Sequence, residues 1–513
     1  MDSDSLSYKT LKNVSYNFIG YAWPIIFSIF ITPFVVHRLG LADYGVYVLI
    51  NTIIGFLSLL DLGLASALIK YVAEYQASGN LAGLRKLLNS AHTLYFLIAF
   101  AGLLIFLILG KFFLPSFHIT GETAQQIFLV FILAGLAFFV NTWGYVYAII
   151  PAATQRYDIA TKLSLAQLTF FNLGILVLVI MGFRLKAIMC LYLVSNILLI
   201  MGFRHYFHRL LPGIKLSLGW DKEELKKSYS FGIFAALTNL ASTSLFQLDR
   251  FLIPIFLGPA LLTYYSLPGN VAQKVSGISG SLTQILFPLT SALSGSGQEA
   301  RIGQIYRRTI RNLAVLAAAG ASSCAFLAYP ILLVWVGPQF AQHGWKILII
   351  LATTHFFLAL YGPLTFCLLG LGKSRLLTYI STGLALVNVL FLILLVPQYG
   401  IEGAAWAYLA GVLVIPVLAL WVEKRYLNLG GIGLFYLKLY SQIIFTGLAL
   451  YFISRLILYK LAINLYSVIG IGLLFVVLYL LMYKLFGFMA EEDWSLLKAF
   501  GLKIRQRILP LKN

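Results

Sequence analysis

Charge is scarce in this chain. Asp, Glu, Lys and Arg make up 11% of its 513 residues, against roughly 25% in soluble globular domains. Acidic residues are scarcer still, 17 against 37 Lys and Arg. Cysteine is nearly absent. Cys190, Cys324 and Cys367 each stand alone in an apolar run. That spacing excludes a disulfide framework and a zinc cluster, and predicts three buried, inert thiols. Metal-ligand spacings, a phosphate-binding glycine loop and a nucleophile elbow are all missing. These absences argue against an enzyme, a metal centre and a bound cofactor.

Apolar sequence fills the space. The chain is 60% hydrophobic with a mean hydropathy of +0.90, and apolar runs long enough to cross a bilayer recur from end to end. Fourteen spans are predicted: 13–36, 44–69, 88–110, 125–150, 159–182, 186–206, 229–257, 260–292, 311–335, 346–370, 376–396, 402–422, 435–457 and 463–486. The polar first twelve residues, leading straight into further spans, do not read as a cleavable signal. No outer connection is long enough for a folded catalytic domain.

Orientation follows from Lys and Arg. With the N-terminus in the cytoplasm, 28 of the 37 fall in cytoplasmic segments and 7 in outer ones. Arg250 and Lys274 remain, inside spans. The bias predicts an even number of crossings with both termini cytoplasmic. It also assigns the net charge of +20 to inner-leaflet topology and anionic lipid rather than to nucleic acid.

The sequence repeats weakly. Ser15-Tyr-Asn-Phe recurs as Ser228-Tyr-Ser-Phe, the segment ending at Leu49 resembles that ending at Leu267, Asn172 matches Asn388, and Tyr192 matches Tyr408. The offsets are 213, 218, 216 and 216 residues. Spans one to six therefore read as duplicated in seven to twelve. Six is even, so the copies share one orientation, as in transporters whose halves rock about a midplane site. The expected organisation is an N-terminal six-helix unit (1–212), a connector (213–227), a second six-helix unit (228–428), two extra helices (429–487) and a basic cytoplasmic tail (488–513). In the connector, Asp221 and Glu224 fit a capping box opening a short amphipathic helix on the cytoplasmic surface.

Polar residues inside spans are the candidate site. In span eight Thr263, Ser266, Asn270, Lys274, Gly277, Ser281 and Gln284 fall within a stripe about 80° wide. Lys274 lies roughly 20 Å along the span from its outer end. A lysine near the bilayer centre costs at least about 2.5–3.5 kcal/mol. A small-residue packing face accounts for Gly277 and Ser281 but not for Lys274, which reads as part of a water-filled cavity wall. Span two carries a similar stripe of Asn51, Gly55, Ser58, Asp61 and Ala65. In span seven Thr238, Ser242 and Asp249 share a face, while Arg250 points about 100° away. Asp61 and Asp249 read as the acidic residues well inside spans and as ion-coupling candidates, Asp61 ahead because its span holds no other charge before Lys70. Asp249 has a second reading as structural glue to Lys274 or Arg250. Substrate candidates are Lys274, Arg250, Asn270, Gln284 and Asn51. His92 and His355 read as satisfied interior histidines.

The stretch Gly20–Tyr75 resembles the first two helices of the polysaccharide biosynthesis flippases, the Wzx-type O-antigen translocase group within the MATE-like MOP exporter superfamily. Arg38-Leu39-Gly40, Tyr44-Gly45 and Leu60-Asp61-Leu62-Gly63-Leu64 carry the likeness, joined by Asp249, Leu252–Gly258 and Tyr264-Tyr265 in the second half. The resemblance implies two six-helix bundles around a central cavity plus two added helices. It implies transfer of undecaprenyl-diphosphate-linked oligosaccharide across the cytoplasmic membrane by alternating access, driven by an H⁺ or Na⁺ gradient. Polysaccharide polymerase and glycosyltransferases are the implied neighbours in the pathway. The alternatives weighed are a multidrug/cation antiporter of the same superfamily, which usually has twelve spans, a lipid II flippase, whose acidic and arginine-rich N-terminal pattern is missing, and a membrane-embedded polymerase or ligase, which tends to carry a large outer loop.

Overall fold

A computed structural model describes Trp23 and residues 27–489, apart from 120, 284–285, 297, 428–429 and 458–463. All regular secondary structure among the described residues is helical, with no strand. They divide into two compact units, Met1–Tyr264 and Tyr265–Asn513.

Unit 1 holds α1 (Phe27–Leu39), α2 (Leu41–Leu57), α3 (Leu64–Ala77), α4 (Leu81–Ile108), α5 (Gly121–Trp143), α6 (Tyr145–Ala153), α7 (Tyr157–Ile180), α8 (Leu185–Leu210) and α9 (Lys222–Leu257). α2 with α3, and α5 with α6, are each a single predicted span broken in the middle. Hydrophobic spacing explains the packing of this unit. Leu64, Ala67, Leu68, Tyr71, Val72 and Tyr75 form one stripe along α3 and bury it. Leu84, Leu87, Leu88, Ala91 and Tyr95 do the same along α4, and Val146, Ile149, Ile150 and Ala153 along α6.

Unit 2 begins within α10 (Pro259–Thr283) and continues through α11 (Leu286–Gly295), α12 (Glu299–Phe326), α13 (Ala328–Val336), α14 (Pro338–Gly370), α15 (Ser374–Tyr426), α16 (Ile432–Ile457) and α17 (Leu465–Leu485). α14 is its central helix, with 72% of its span buried, against 28% for α16 and 17% for α17. α15 runs 53 residues, far beyond the roughly 20 that cross a bilayer. It is two spans joined at Gly400, whose φ of 60° and ψ of −138° interrupt the helix after Pro397. Ten of the described helices are long and apolar enough to cross a membrane. Counting α15 as two, with α1, α9 and α10 beside them, agrees with an all-α polytopic fold of about fourteen spans.

The connector differs from the expected short surface helix. Asp221 does cap a helix, accepting from the N–H groups of Glu223 and Glu224, but that helix is α9 itself, 36 residues long. The cap is completed differently from a capping box. The Asp221 N–H donates to Ser90 Oγ at 2.8 Å, while Glu224 instead accepts from the Tyr75 hydroxyl at 2.6 Å. Hydrogen bonds from the Glu224 and Glu223 N–H groups, with Lys86 at 3.5 Å, hold the Asp221 carboxyl below its ordinary range. The residues before it are not helical; they run along the start of α4, with the Ser217 N–H on Asn89 Oδ1 at 3.0 Å and the Gly219 N–H on Thr93 Oγ1 at 2.8 Å. Cys190 also departs from expectation. It is exposed on α8, whereas Cys367 is buried.

The start of α2 meets the end of α9 and the start of α10 at Gly45. A Cβ there would lie 1.8 Å from the Pro259 carbonyl oxygen. The Thr263 hydroxyl donates to the Leu41 carbonyl at 2.7 Å beside it. Replacing Gly45 by Val is therefore expected to cost at least about 1–3 kcal/mol, the range for overpacked sites. A thermal melt of the detergent-purified protein reads this; a melting point equal to the parent's would show that the helices part there without cost.

Candidate functional site

Asp61 sits where span two breaks. Ser58–Asp61 tighten into a 3-10 turn, then Leu62 (φ 48°) and Gly63 (φ 79°) adopt the left-handed conformation before α3 resumes at Leu64. A left-handed leucine is costly by roughly 1–2 kcal/mol, so something must hold it. Asp61 does so from two sides. Both carboxylate oxygens lie 3.3 Å from the Ala65 N–H, capping the open N-terminus of α3. Oδ1 also accepts a short hydrogen bond from the Tyr95 hydroxyl. Tyr95 closes the buried stripe of α4, and its ring packs edge-on to Tyr145 at 5.7 Å. Tyr145 and Tyr229 lie within electrostatic reach of the carboxylate. The predicted stripe of Asn51, Gly55, Ser58, Asp61 and Ala65 assumed an unbroken α-helix. The break divides it. Asn51 is exposed and turns back to the Tyr47 carbonyl at 2.8 Å. At Gly55 a Cβ would lie 2.4 Å from Gln247 Oε1, so this glycine admits a polar side chain of α9.

α9 carries the neighbouring charges Asp249 and Arg250. Asp249 is 3% exposed and accepts from the Arg250 N–H at 2.8 Å. Arg250 is half-buried and within electrostatic reach of Tyr44 on α2. The side chains of Thr238 and Ser242 lie outside the described residues.

The stripe along α10 is not one continuous wall. Thr263 and Ser266 are fully buried in packing, Asn270 is half-buried, and Lys274 is exposed, as is Gln273 beside it. Below them the Ser276 hydroxyl and His355 Nδ1 lie 2.9 Å apart, and Ser279 donates to the Ala359 carbonyl at 2.7 Å. Gln284 lies outside the described residues. His355 is thus satisfied, as expected. His92 is only half so: Nε2 accepts from Trp143 at 3.2 Å, while the buried Nδ1 has no partner among the described residues.

Three polar features escaped the sequence. Glu423 is 2% exposed, a buried carboxylate besides Asp249, whereas Asp61 is half-buried. Tyr306 of α12 and Tyr436 of α16 both donate to its Oε1 at 2.6 Å, which ties three helices together. It lies next to Lys424 and Arg425, and nothing local announces two tyrosines from distant helices. Asn388, 1% exposed, leaves both side-chain polar atoms without a partner among the described residues. The repeat had marked Asn388 and Tyr408 as matched positions without giving them a role. Tyr95 was invisible for the same reason as Tyr306: an aromatic in an apolar span reads as core. No group of three or more His, Cys, Asp or Glu suited to a metal occurs among the described residues.

The Asp61–Tyr95 pair is open to direct measurement. A hydrogen bond to a charged group contributes about 1.5–3 kcal/mol. A double-mutant cycle with Asp61→Asn and Tyr95→Phe, read by unfolding in detergent, should return a coupling energy in that range. Additivity within about 0.5 kcal/mol would mean the bond does not hold the break.

Comparison with known proteins follows the same lines. The sequence profile of the family described as "Polysaccharide biosynthesis protein" matches residues 35–343. The chain is 22% identical over 428 residues to a Shigella flexneri protein named "Putative O-antigen transporter", an alignment covering 81% of this chain and 98% of that one. Among solved structures it resembles the lipid II flippase MurJ in an inward closed conformation, with a TM-score of 0.69, 14% identity, and coverage of 92% of this chain and 98% of that one. It also resembles an inward-facing multidrug resistance MATE family transporter of the MOP superfamily, with a TM-score of 0.66, 13% identity, and coverage of 80% and 97%. The chain belongs to the polysaccharide biosynthesis protein family, as a multi-pass membrane protein whose fold is that of the MurJ and MATE structures it resembles.

Proposed function

We propose that the chain is a flippase that carries undecaprenyl-diphosphate-linked oligosaccharide from the inner to the outer leaflet of the cytoplasmic membrane by ion-coupled alternating access. Lys274 carries this reading. It is an exposed lysine about 22 Å along α10 from Pro259, where burial in hydrocarbon would cost at least about 2.5–3.5 kcal/mol. A diphosphate offsets that cost whatever sugar it bears. Arg250, Asn270, Gln284 and Asn51 are proposed to assist it. The working halves are residues 1–212 and 228–428, with 213–227 as connector, 429–487 as added helices and 488–513 as a basic tail; both termini are cytoplasmic. Glycosyltransferases supply the substrate and a polymerase consumes it. The MATE structure matches a smaller share of this chain than MurJ does, the direction expected if α16 and α17 have no counterpart there, which disfavours a multidrug antiporter.

Asp61 is the proposed coupling group, with Asp249 second. H⁺ or Na⁺ on the Asp61 carboxylate competes with Tyr95 and the Ala65 N–H for the same oxygens. Loosening those bonds frees the left-handed turn at Leu62–Gly63, and a coupling ion must bind the two access states differently to move them.

Lys274→Ala should abolish glycan export in cells while leaving the protein in the membrane; normal export would remove Lys274 from the site. In proteoliposomes Asp61→Asn should keep substrate binding and lose its response to an imposed ion gradient. A response equal to the parent's would show that coupling lies elsewhere.

A further inference from the structure

An open groove of about 680 Å³ runs between α7 and α8 of unit 1. Gly174, Val177, Leu178, Leu191 and Val194 line its length. This face is not covered by protein: only 11% of the α7 span is buried, and Val177 and Val194 are 53% and 46% exposed. In a membrane-spanning bundle, acyl chains cover it.

One end of the groove is different. Arg184 and Lys186 line it there, at the connection between the two helices. Arg184 Nε and Nη2 each lie 3.1 Å from Asp43 Oδ2, yet its side chain stays 74% exposed. Lys186 is exposed, and no ion pair to it occurs among the described residues. Two cations against one carboxylate leave this end with a net positive charge. The depth also fits a lipid. From Arg184 to Val194 is ten residues of helix, about 15 Å, which is half of the roughly 30 Å hydrocarbon core. The groove therefore spans one leaflet, with its charge at headgroup level. Its volume falls within the roughly 300–1,000 Å³ of small-molecule sites.

We propose that this groove is a binding site for one anionic phospholipid, with an acyl chain along α7 and α8 and the headgroup phosphate on Lys186 and Arg184. The phosphate of a zwitterionic lipid is balanced by its own cation. An anionic headgroup leaves its charge for the protein, which gives the site its selectivity. The proposal does not depend on what the protein transports.

Cys190 lines the groove and is exposed, so it provides a reporter. With Cys324 and Cys367 replaced by alanine, a fluorophore on Cys190 is reconstituted in phosphatidylcholine vesicles. These contain phosphatidylglycerol or phosphatidylcholine carrying a nitroxide on the chain. The phosphatidylglycerol quencher should act at about tenfold lower mole fraction, the scale set by one or two basic residues at a membrane surface. Lys186→Gln should remove most of that preference and Arg184→Gln with Lys186→Gln all of it. The single variant breaks no ion pair and keeps the test valid if the double variant misfolds. Equal quenching by both lipids in the parent, or a preference that survives these substitutions, overturns the proposal. So does displacement of the quencher by a polyprenyl diphosphate at lower mole fraction than by unlabelled phosphatidylglycerol, which would assign the groove to a lipid carrier instead.

Discussion

In hydrocarbon, a helix that breaks loses backbone hydrogen bonds and finds no water to replace them. Much of the local chemistry of this protein answers that constraint. Span two breaks at Leu62–Gly63, and Asp61 meets the exposed N-terminus of α3 with its own carboxylate. Span four breaks at Gly144, whose N–H still donates to the Val140 carbonyl at 3.0 Å. Between spans the demand is lighter: α15 turns at Gly400, where glycine accepts the backbone conformation without side-chain strain. Each break redirects a helix, so a short sequence signal changes which residues share a face.

Tyrosine is the second recurring device. Asp61 meets Tyr95, Glu224 meets Tyr75, and Glu423 meets both Tyr306 and Tyr436. A tyrosine hydroxyl donates to a carboxylate without adding a second charge to be desolvated, while its ring packs as core. That suits a chain with so few acidic residues. It lets a carboxylate sit inside a helical bundle where an ammonium partner would have to be buried as well. The arrangement at Asp61 differs from that at Glu423 in its backbone. Glu423 lies in regular helix and joins three elements, whereas Asp61 bears on a strained turn.

The exposed polar residues belong to another class. Lys274, Gln273 and Asn51 lie on helices of an apolar chain without being enclosed by their own unit. Buried polar groups on the same helices, Thr263 and Ser266 among them, serve packing. Polar residues in a span therefore divide into those that hold helices together and those left for solvent or ligand. Only burial separates the two.

Hydropathy and charge bias determined the all-α membrane-spanning class and the number of spans, because a bilayer imposes length and polarity on each segment independently of the others. The repeat marked Asn388 and Tyr408, and composition excluded a metal cluster or nucleophile motif. Tertiary structure decided the rest. The stripe through Asn51 and Asp61 rested on 100° per residue, and a four-residue 3-10 turn with two left-handed residues cancels that rule. Asp221 marked a helix start correctly, but Ser90, 131 residues away, takes the bond assigned to Glu224. Glu423 gave no signal in the sequence because its partners lie 117 residues before it and 13 after it. Cys190 looked buried because an apolar run does not say which of its faces meets protein and which meets lipid. Periodicity along one helix specifies a face; which neighbour that face meets is set only when all the helices are packed.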